Sequence, residues 1–446
     1  MTTGADQADH TSTTVDAGWW QRRTAGQDAR YWRLWGAVAS SNLGDGLVSV
    51  AFPWLASLLT RDPLLISGVV LATSLPWLLF SLQAGVLGDR MDRRRLMVSA
   101  SAVRAVVAGA TTAAVVTDVM TLPALYAAAF ALGMCEVVFD NTSQAILPAI
   151  VPRDRLERAN GTIIGAQMVI ADFVARPLSG AIIGVALSLP FAIDAATAAV
   201  SAGLVAMIPG TFRADAQAVG DAPRPRMRTL IAEGLRWLWS HRLLRTLALA
   251  LAVMNGTSAA IAATFVLFAQ ELLGLDGLGF GLLLTAGGLG GLAGSVLGPN
   301  LVTWLRSGRT LMLTVTAPIA GFAATAVTSN PFVAGACFAL YGVTAVLWNI
   351  VTVSLRQTMI PDAILGRVNS VYRFLGWGAM PIGALLGGAL VSVVESVATR
   401  EAGLRAPFVV AAGIHLALLA VVATKLTTRA VDEAKAAAGD PPPLGG

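Results

Sequence analysis

The stretch "GVLGDRMDRRRLM", residues 85–97, sets six charges (Asp89, Arg90, Asp92, Arg93, Arg94 and Arg95) into seven consecutive positions between two long apolar runs. The surrounding chain of 446 residues is 55% hydrophobic and only 13% charged, with a mean hydropathy of +0.69. Soluble domains carry about a quarter of their residues as charges, so this is the composition of a polytopic membrane protein. A charged knot between two apolar runs is then a tight turn held outside the hydrocarbon.

Crossing a bilayer takes about 20 apolar residues in a helix. Twelve such runs follow one another: six at 34–59, 64–87, 96–117, 121–147, 161–186 and 189–208, and six at 246–273, 278–304, 310–328, 331–355, 369–394 and 406–426. Pro53, Pro76, Pro177, Pro318 and Pro381 fall inside them and read as kinks, which neighbouring helices can tolerate in a membrane. The expectation is an all-α membrane protein of twelve transmembrane helices in two pseudo-symmetric six-helix halves. The division that follows is a polar N-terminal tail (1–32), a first half (33–208), a linker (209–245), a second half (246–426) and a C-terminal tail (427–446).

Charge placement orients the chain. Of 31 Lys and Arg, only Arg61, Arg400 and Arg405 fall in loops at the end away from the termini, and Arg104 and Arg176 lie deep within spans; the other 26, with Arg373 and Lys425 just inside the ends of their spans, share the terminal end. Cytoplasmic loops carry this excess, so both termini are expected in the cytoplasm of a bacterial inner membrane. The net charge of +5 is topology, and nucleic acid is not expected as a partner. The first 30 residues include Asp6, Asp9, Asp16, Arg22 and Arg23, which is not the layout of a cleaved signal peptide, so the first span is expected to be retained. Cys135 and Cys337 both sit in apolar runs, and no disulfide framework is expected.

An internal repeat supports the two halves. "VPRDRLERANG" (151–161) and "IPDAILGRVNS" (360–370) align at an offset of 209 and share Pro152/Pro361, Leu156/Leu365, Arg158/Arg367 and Asn160/Asn369. Each copy follows the fourth span of its six, and "RSGRTLM" (306–312) is a weaker counterpart of the basic turn, so the repeats run parallel. The linker, with Pro223 and Pro225, leads into "LIAEGLRWLWSHRLLRTL" (230–247), whose Trp237, Trp239, Arg236, Arg242 and Arg245 suit an interfacial helix.

Gly85, Leu87, Asp89, Arg90, Arg93 and Arg94 resemble the G-x-L-x-D-R-x-G-R-R/K signature of the major facilitator superfamily, with Asp92 where that signature has glycine. "LPAIVPRDRLERANG" and "EGLRWLWSHRLLRTL" are similar to the branch of enterobactin-type siderophore exporters and macrolide efflux pumps. The resemblance implies that the turn forms a gate across the two halves near span 11, with Asp89, Arg90, Arg93 and Arg94 on one side; the alternative, favoured for Arg94 and Arg95, is that these charges only fix topology. Arg367 and the N-terminal end of span 11 are the candidate partners on the other, since a helix N-terminus favours an anion. It also implies that spans 1, 4, 7 and 10 line a central cavity.

Ionisable groups inside spans are costly and mark function or pairing. Asn42, Asp45 and Ser49 repeat at helical spacing on span 1, as do Glu136, Asp140 and Gln144 on span 4. Asp140, then Asp45 and Glu136, are the candidates for proton coupling, against the alternative that the aspartates pair with a structural arginine such as Arg104. Asn42, Gln144, Asn255, Trp348, Asn349 and Arg356 are candidate cavity residues, Trp348 with a ring able to stack on substrate. Asp172 and Arg176, four apart on span 5, form a structural pair, and Asp194 and His415 read as satisfied groups away from the cavity. Gly290, Gly294 and Gly298, and Gly383 with Gly387, predict close helix packing.

No G-x-x-x-x-G-K-S/T run occurs, and three scattered histidines offer no hydrolase or metal cluster. The expectation is therefore a monomeric, cofactor-free secondary transporter in the lipid bilayer. A proton gradient would drive export of a small amphipathic organic compound, with uptake of a small nutrient as the rival reading.

Overall fold

The structure is a computed structural model that describes residues 28–152, 155–212 and 227–426, with isolated positions of the C-terminal tail. The N-terminal tail before residue 28, the linker prolines and most of the C-terminal tail lie outside the described residues. So do the side chains of Gly85, Asp89 and Arg90, although the helix backbone through them is described.

Among the described residues eleven helices are long and apolar enough to cross a membrane. One of them, Gly277–Val327, is two spans joined at Arg306, whose φ of 66° and ψ of 154° break the helical path. Spans 1 to 4 are Ala29–Leu59, Pro63–Arg90, Arg93–Val116 and Leu122–Ile150. Span 6 is Leu189–Ala206 and span 7 is Arg242–Glu271. Spans 10 to 12 are Pro331–Met359, Asp362–Val397 and Arg400–Val422. Several helices overrun the apolar windows: span 1 starts at Ala29 and span 11 at Asp362. Hydropathy marks the hydrocarbon thickness, whereas backbone hydrogen bonding continues into the headgroup zone.

Span 5 departs from a single α-helix. Leu156–Met168 passes into a π-helical turn, Val169–Ala175, before Arg176–Ile183 resumes. Pro177, which has no N–H to return to the preceding turn, follows at once, and a widened turn accommodates it.

The repeat has a common local geometry. Val151 and Ile360 each end a helix in extended conformation (φ −112°, ψ 134° and φ −96°, ψ 125°) and precede Pro152 and Pro361. Proline disfavours the α region for the residue before it, which is why both helices stop there. The interfacial helix, Met227–Ser240, packs on the start of span 11, where a Cβ on Gly234 would press on the Arg367 backbone. Glycine also sets the span 8 to span 10 approach, since a Cβ on Gly290 would overlap the Ala339 carbonyl.

The buried apolar residues divide in a way that fixes the shape. At the end away from the basic turn (the far end), one cluster joins Phe52, Leu55 and Phe191 of the first half to Phe265, Phe268, Phe280 and Phe408 of the second. Toward the basic end the core splits. Tyr31, Leu34, Met97, Phe139 and Ile146 pack within the first half, and Leu247, Trp348, Leu355 and Tyr372 within the second. Among the described residues the halves thus share one apolar core at the far end and keep separate cores toward the basic end. Spans 2 and 11 and spans 5 and 8 pair across the seam, with Trp77 and Trp377 in contact at 5.1 Å between ring centres.

Candidate functional site

Arg104 of span 3 organises the centre of the first half. Its Nε and Nη2 donate to Oδ1 of Asp194 at 2.9 and 2.7 Å, and its Nη1 pairs with Asp45. The Arg104 and Asp194 side chains are 4% and 0% exposed, while Asp45 is 22% exposed. A Cβ on Gly44 would collide with the Asp194 carboxylate, so glycine at that position is what lets spans 1 and 6 close over the pair. Asp45 therefore takes the arginine partner weighed for it in the sequence. Asp194 is satisfied on Oδ1 only, because its Oδ2 is buried without a hydrogen-bond partner.

Glu136 and Asp140 lie one turn apart on span 4, half-buried, within electrostatic reach of Asp45 and Arg104. This places four carboxyl groups (Asp45, Glu136, Asp140 and Asp194) around one guanidinium. Asp172 and Arg176 pair with each other at 2.7 Å on span 5 and add no net charge. A cavity of about 320 Å³ opens against this cluster, lined by Asp45, Arg104, Glu136 and Arg176 together with Ser49, Pro53, Val70 and Thr73. An adjoining cavity of about 190 Å³ reaches into the second half among Phe265, Phe280, Phe322, Phe338 and Tyr341. The sequence reading did not single out these rings. Aromatic residues at helical spacing look the same whether they fill a core or line a chamber.

The remaining candidates scatter. Asn42 and Asn349 turn their amides back to Val38 and Ala345 on their own helices, at 2.8 and 3.1 Å. Gln144 is exposed, and Asn255 ties span 7 to the Gly376 carbonyl of span 11 at 3.0 Å. Trp348, expected to offer its ring to a substrate, is 2% exposed inside the second-half core. Arg356 is also buried, its guanidinium 4.0 Å above the Tyr372 ring and its Nε on the Thr352 carbonyl at 3.2 Å.

In the basic turn, Arg93 donates to the Ala145 carbonyl at 2.9 Å and Arg94 to that of Ile208 at 2.9 Å, both within the first half. Asp92 caps span 3 through the Arg95 amide (3.0 Å) and receives the Phe212 amide (2.8 Å). Burial alone would raise the Asp92 carboxyl. These two amides and the neighbouring Arg94 and Arg95 charges hold it below the ordinary aspartate value. Arg367, the suggested partner of Asp89, donates to Glu233 of the interfacial helix at 2.8 Å. At the far end Arg61, Gln270, Glu271 and Arg400 join the halves through a network of hydrogen bonds and ion pairs.

Two helical halves that pack together at the far end and enclose buried charge beside a cavity make the fold of a membrane transporter. The chain belongs to the transmembrane secretion effector family of the major facilitator superfamily, whose profile matches residues 27–444. It is 28% identical over 407 residues to the multidrug efflux pump Tap of Mycolicibacterium fortuitum, covering 87% of this chain and 94% of that protein. Identity to Tap of Mycobacterium tuberculosis is 30% over 408 residues (87% and 91% covered). The enterobactin exporter EntS of Shigella boydii is 24% identical over 370 residues (80% and 84%). In fold it is similar to the nucleoside transporter NupG (TM-score 0.69, 14% identity, 89% and 98% covered). A bacterial homologue of the iron transporter ferroportin in an inward-facing state shares the fold as well (TM-score 0.66, 15% identity, 87% and 98% covered).

Proposed function

We propose that this transporter is a proton-coupled exporter of small amphipathic organic compounds in a bacterial inner membrane, with both termini cytoplasmic. The observation that carries the reading is the cluster of four carboxyls around Arg104 beside a cavity. An uncompensated carboxylate at that depth costs about 2.5–3.5 kcal/mol, so each excess acid calls for a proton or a cationic substrate. Asp140, on span 4 and with no arginine bonded to its carboxylate among the described residues, is the first coupling residue, with Glu136 beside it and Asp45 tied to Arg104. Exchange of proton for substrate at these carboxyls makes the two cargoes compete, which is the basis of antiport. The kinship with Tap and EntS, whose names describe efflux and export, favours the outward direction.

In this reading the structure faces inward, and the basic turn is the open gate. Closure would bring Asp89 to the N-terminal end of span 11, where Arg367 exchanges Glu233 for it, while Arg90, Arg93 and Arg94 cross to the second half. The experiment is transport in everted vesicles with an imposed proton gradient, using a panel of drugs, antibiotics and siderophore-like compounds. Accumulation that collapses with a protonophore supports the reading. Gradient-independent accumulation, or movement of substrate only in the opposite direction, refutes it.

A further inference from the structure

The helix Met227–Ser240 turns two different faces outward and inward. Gly234 and Leu238 are buried against the second half, with Trp237 half-buried beside them. Ala232, Leu235, Arg236 and Trp239 share another face at helical spacing and are exposed, Leu235 at 41% and Trp239 at 45%. Arg242, at the start of span 7, is exposed as well. Neither Arg236 nor Arg242 forms an ion pair or a side-chain hydrogen bond among the described residues.

The charge of this segment is one-sided. Between 224 and 245 the sequence has six arginines (Arg224, Arg226, Arg228, Arg236, Arg242 and Arg245) and a single acid, Glu233. That acid accepts from Arg367 of span 11 at 2.8 Å, so it neutralises none of the six. The corner into span 7 is braced, because the Trp237 ring stacks on His241 at 3.7 Å and Arg245 donates to the Trp239 carbonyl at 3.0 Å. Span 7 also sets the level of the corner. Its apolar run begins at 246, so Arg242 lies about 6 Å outside the hydrocarbon at 1.5 Å per residue. A headgroup layer is roughly 5–8 Å thick.

We propose that this face is a docking surface for anionic phospholipid headgroups, with Arg236 and Arg242 taking the phosphates and Leu235 and Trp239 as apolar anchors. A guanidinium without a carboxylate matches a phosphate with its planar fork. Leucine and tryptophan on an arginine-bearing helix favour the boundary between headgroups and acyl chains, and arginine clusters beside a span attract anionic lipid. A soluble acidic partner would have to displace the headgroups from that level, which is why the bilayer surface is the occupant. The surface depends neither on which side of the membrane the basic end faces nor on what the protein carries, so it stands or falls apart from the export reading.

The test uses the full-length protein in phosphatidylcholine nanodiscs, labelled with acrylodan at Ser240→Cys after Cys135 and Cys337 are replaced. Quenching by phosphatidylglycerol bearing a nitroxide near its headgroup is compared with quenching by phosphatidylcholine bearing the same group, at equal mole fractions. The anionic lipid should be enriched at the label about fivefold or more, since one arginine near an anionic surface is worth about fivefold. Arg236→Gln with Arg242→Gln should lower that ratio at least threefold, whereas Arg236→Lys with Arg242→Lys keeps most of it. These side chains are exposed, and an unchanged melting temperature of both pairs in detergent checks that they fold. Trp239→Ala should weaken quenching by both lipids alike. Raising the salt from about 0.05 to 0.5 M should reduce the ratio by screening, and inorganic phosphate at matched ionic strength should leave it unchanged. A ratio near one in the parent, a glutamine pair that quenches like the parent, or a Trp239→Ala variant with undiminished quenching overturns the proposal. Displacement of the lipid by inorganic phosphate would make this a site for a free ion and would overturn the membrane surface too.

Discussion

Removing the Arg61 side chain should release the far end. Arg400 donates to Glu271 at 2.9 and 3.0 Å and to Glu395 at 2.6 Å, but all three residues belong to the second half. Bonds that persist in both states add nothing to the difference between them. Among the described residues the bonds that cross are Arg61 to Gln270 at 2.5 Å, Arg61 to Glu271 at 3.7 Å, Arg400 to the Arg61 carbonyl at 2.9 Å and Gln270 to Ser57 at 2.9 Å. Arg61→Ala deletes the first two and keeps the carbonyl. A hydrogen bond to a charged donor contributes about 1.5 kcal/mol and an exposed ion pair about 0.5 kcal/mol. The Arg61 side chain is 56% exposed, so solvent screening trims the sum to roughly 1.4 kcal/mol, about a tenfold change in the equilibrium. Spin labels at Thr60→Cys and Ala398→Cys, with Cys135 and Cys337 replaced, would read the far-end separation by pulsed electron resonance. The expected result is about a tenfold gain in the long-distance population, whereas Glu395→Gln leaves it near wild type. An unchanged distribution in Arg61→Ala, or an equal shift in Glu395→Gln, would refute the crossing-bond argument.

Four other outcomes are expected. Asp89→Asn should cut transport strongly while membrane insertion and binding persist, with the population moved toward the state open at the basic end; wild-type turnover would leave the turn with topology alone. Asp140→Asn, a permanent mimic of the protonated acid, should abolish gradient-driven export yet keep energy-independent exchange of substrate, and concentration against a gradient in that variant would exclude Asp140 as the coupling residue. Asp92→Ala should lower thermal stability in detergent by about 2–3 kcal/mol, from a lost cap and a lost hydrogen bond to a charged acceptor, with Asp92→Asn milder because asparagine also caps. Its folded-state pKa is depressed below 3.8, so the contribution is present above that value and fades as the pH falls through the lowered one, and the gap between wild type and Asp92→Ala should narrow in acid. Finally, single cysteines at 155–158 should resist an impermeant thiol reagent in intact cells and one at 400–405 should react, since the reverse labelling pattern would invert the orientation.

Local and periodic information was enough for the helices. Twelve apolar runs, the prolines after Val151 and Ile360, and the charge cluster at 89–95 depend only on hydropathy, proline sterics and the cost of burying charge, and each is written in neighbouring residues. Gly290 was legible as a contact point for the same reason, because small residues four apart can only serve close approach. What the sequence could not decide was which polar group meets which. Asp45 and Asp194 are 149 positions apart and meet on one guanidinium because spans 1, 3 and 6 converge where Gly44 leaves room. Trp348 and Phe338 lie on the same apolar helix at ten residues' separation, yet one is core and the other lines a chamber. Their exposure depends on the face the neighbouring helices leave uncovered. The division of the apolar core, joined at the far end and split toward the basic end, is likewise a property of tertiary packing. Hydropathy assigns no partner to either end of the twelve helices, so only the assembled contacts decide which end the two halves share.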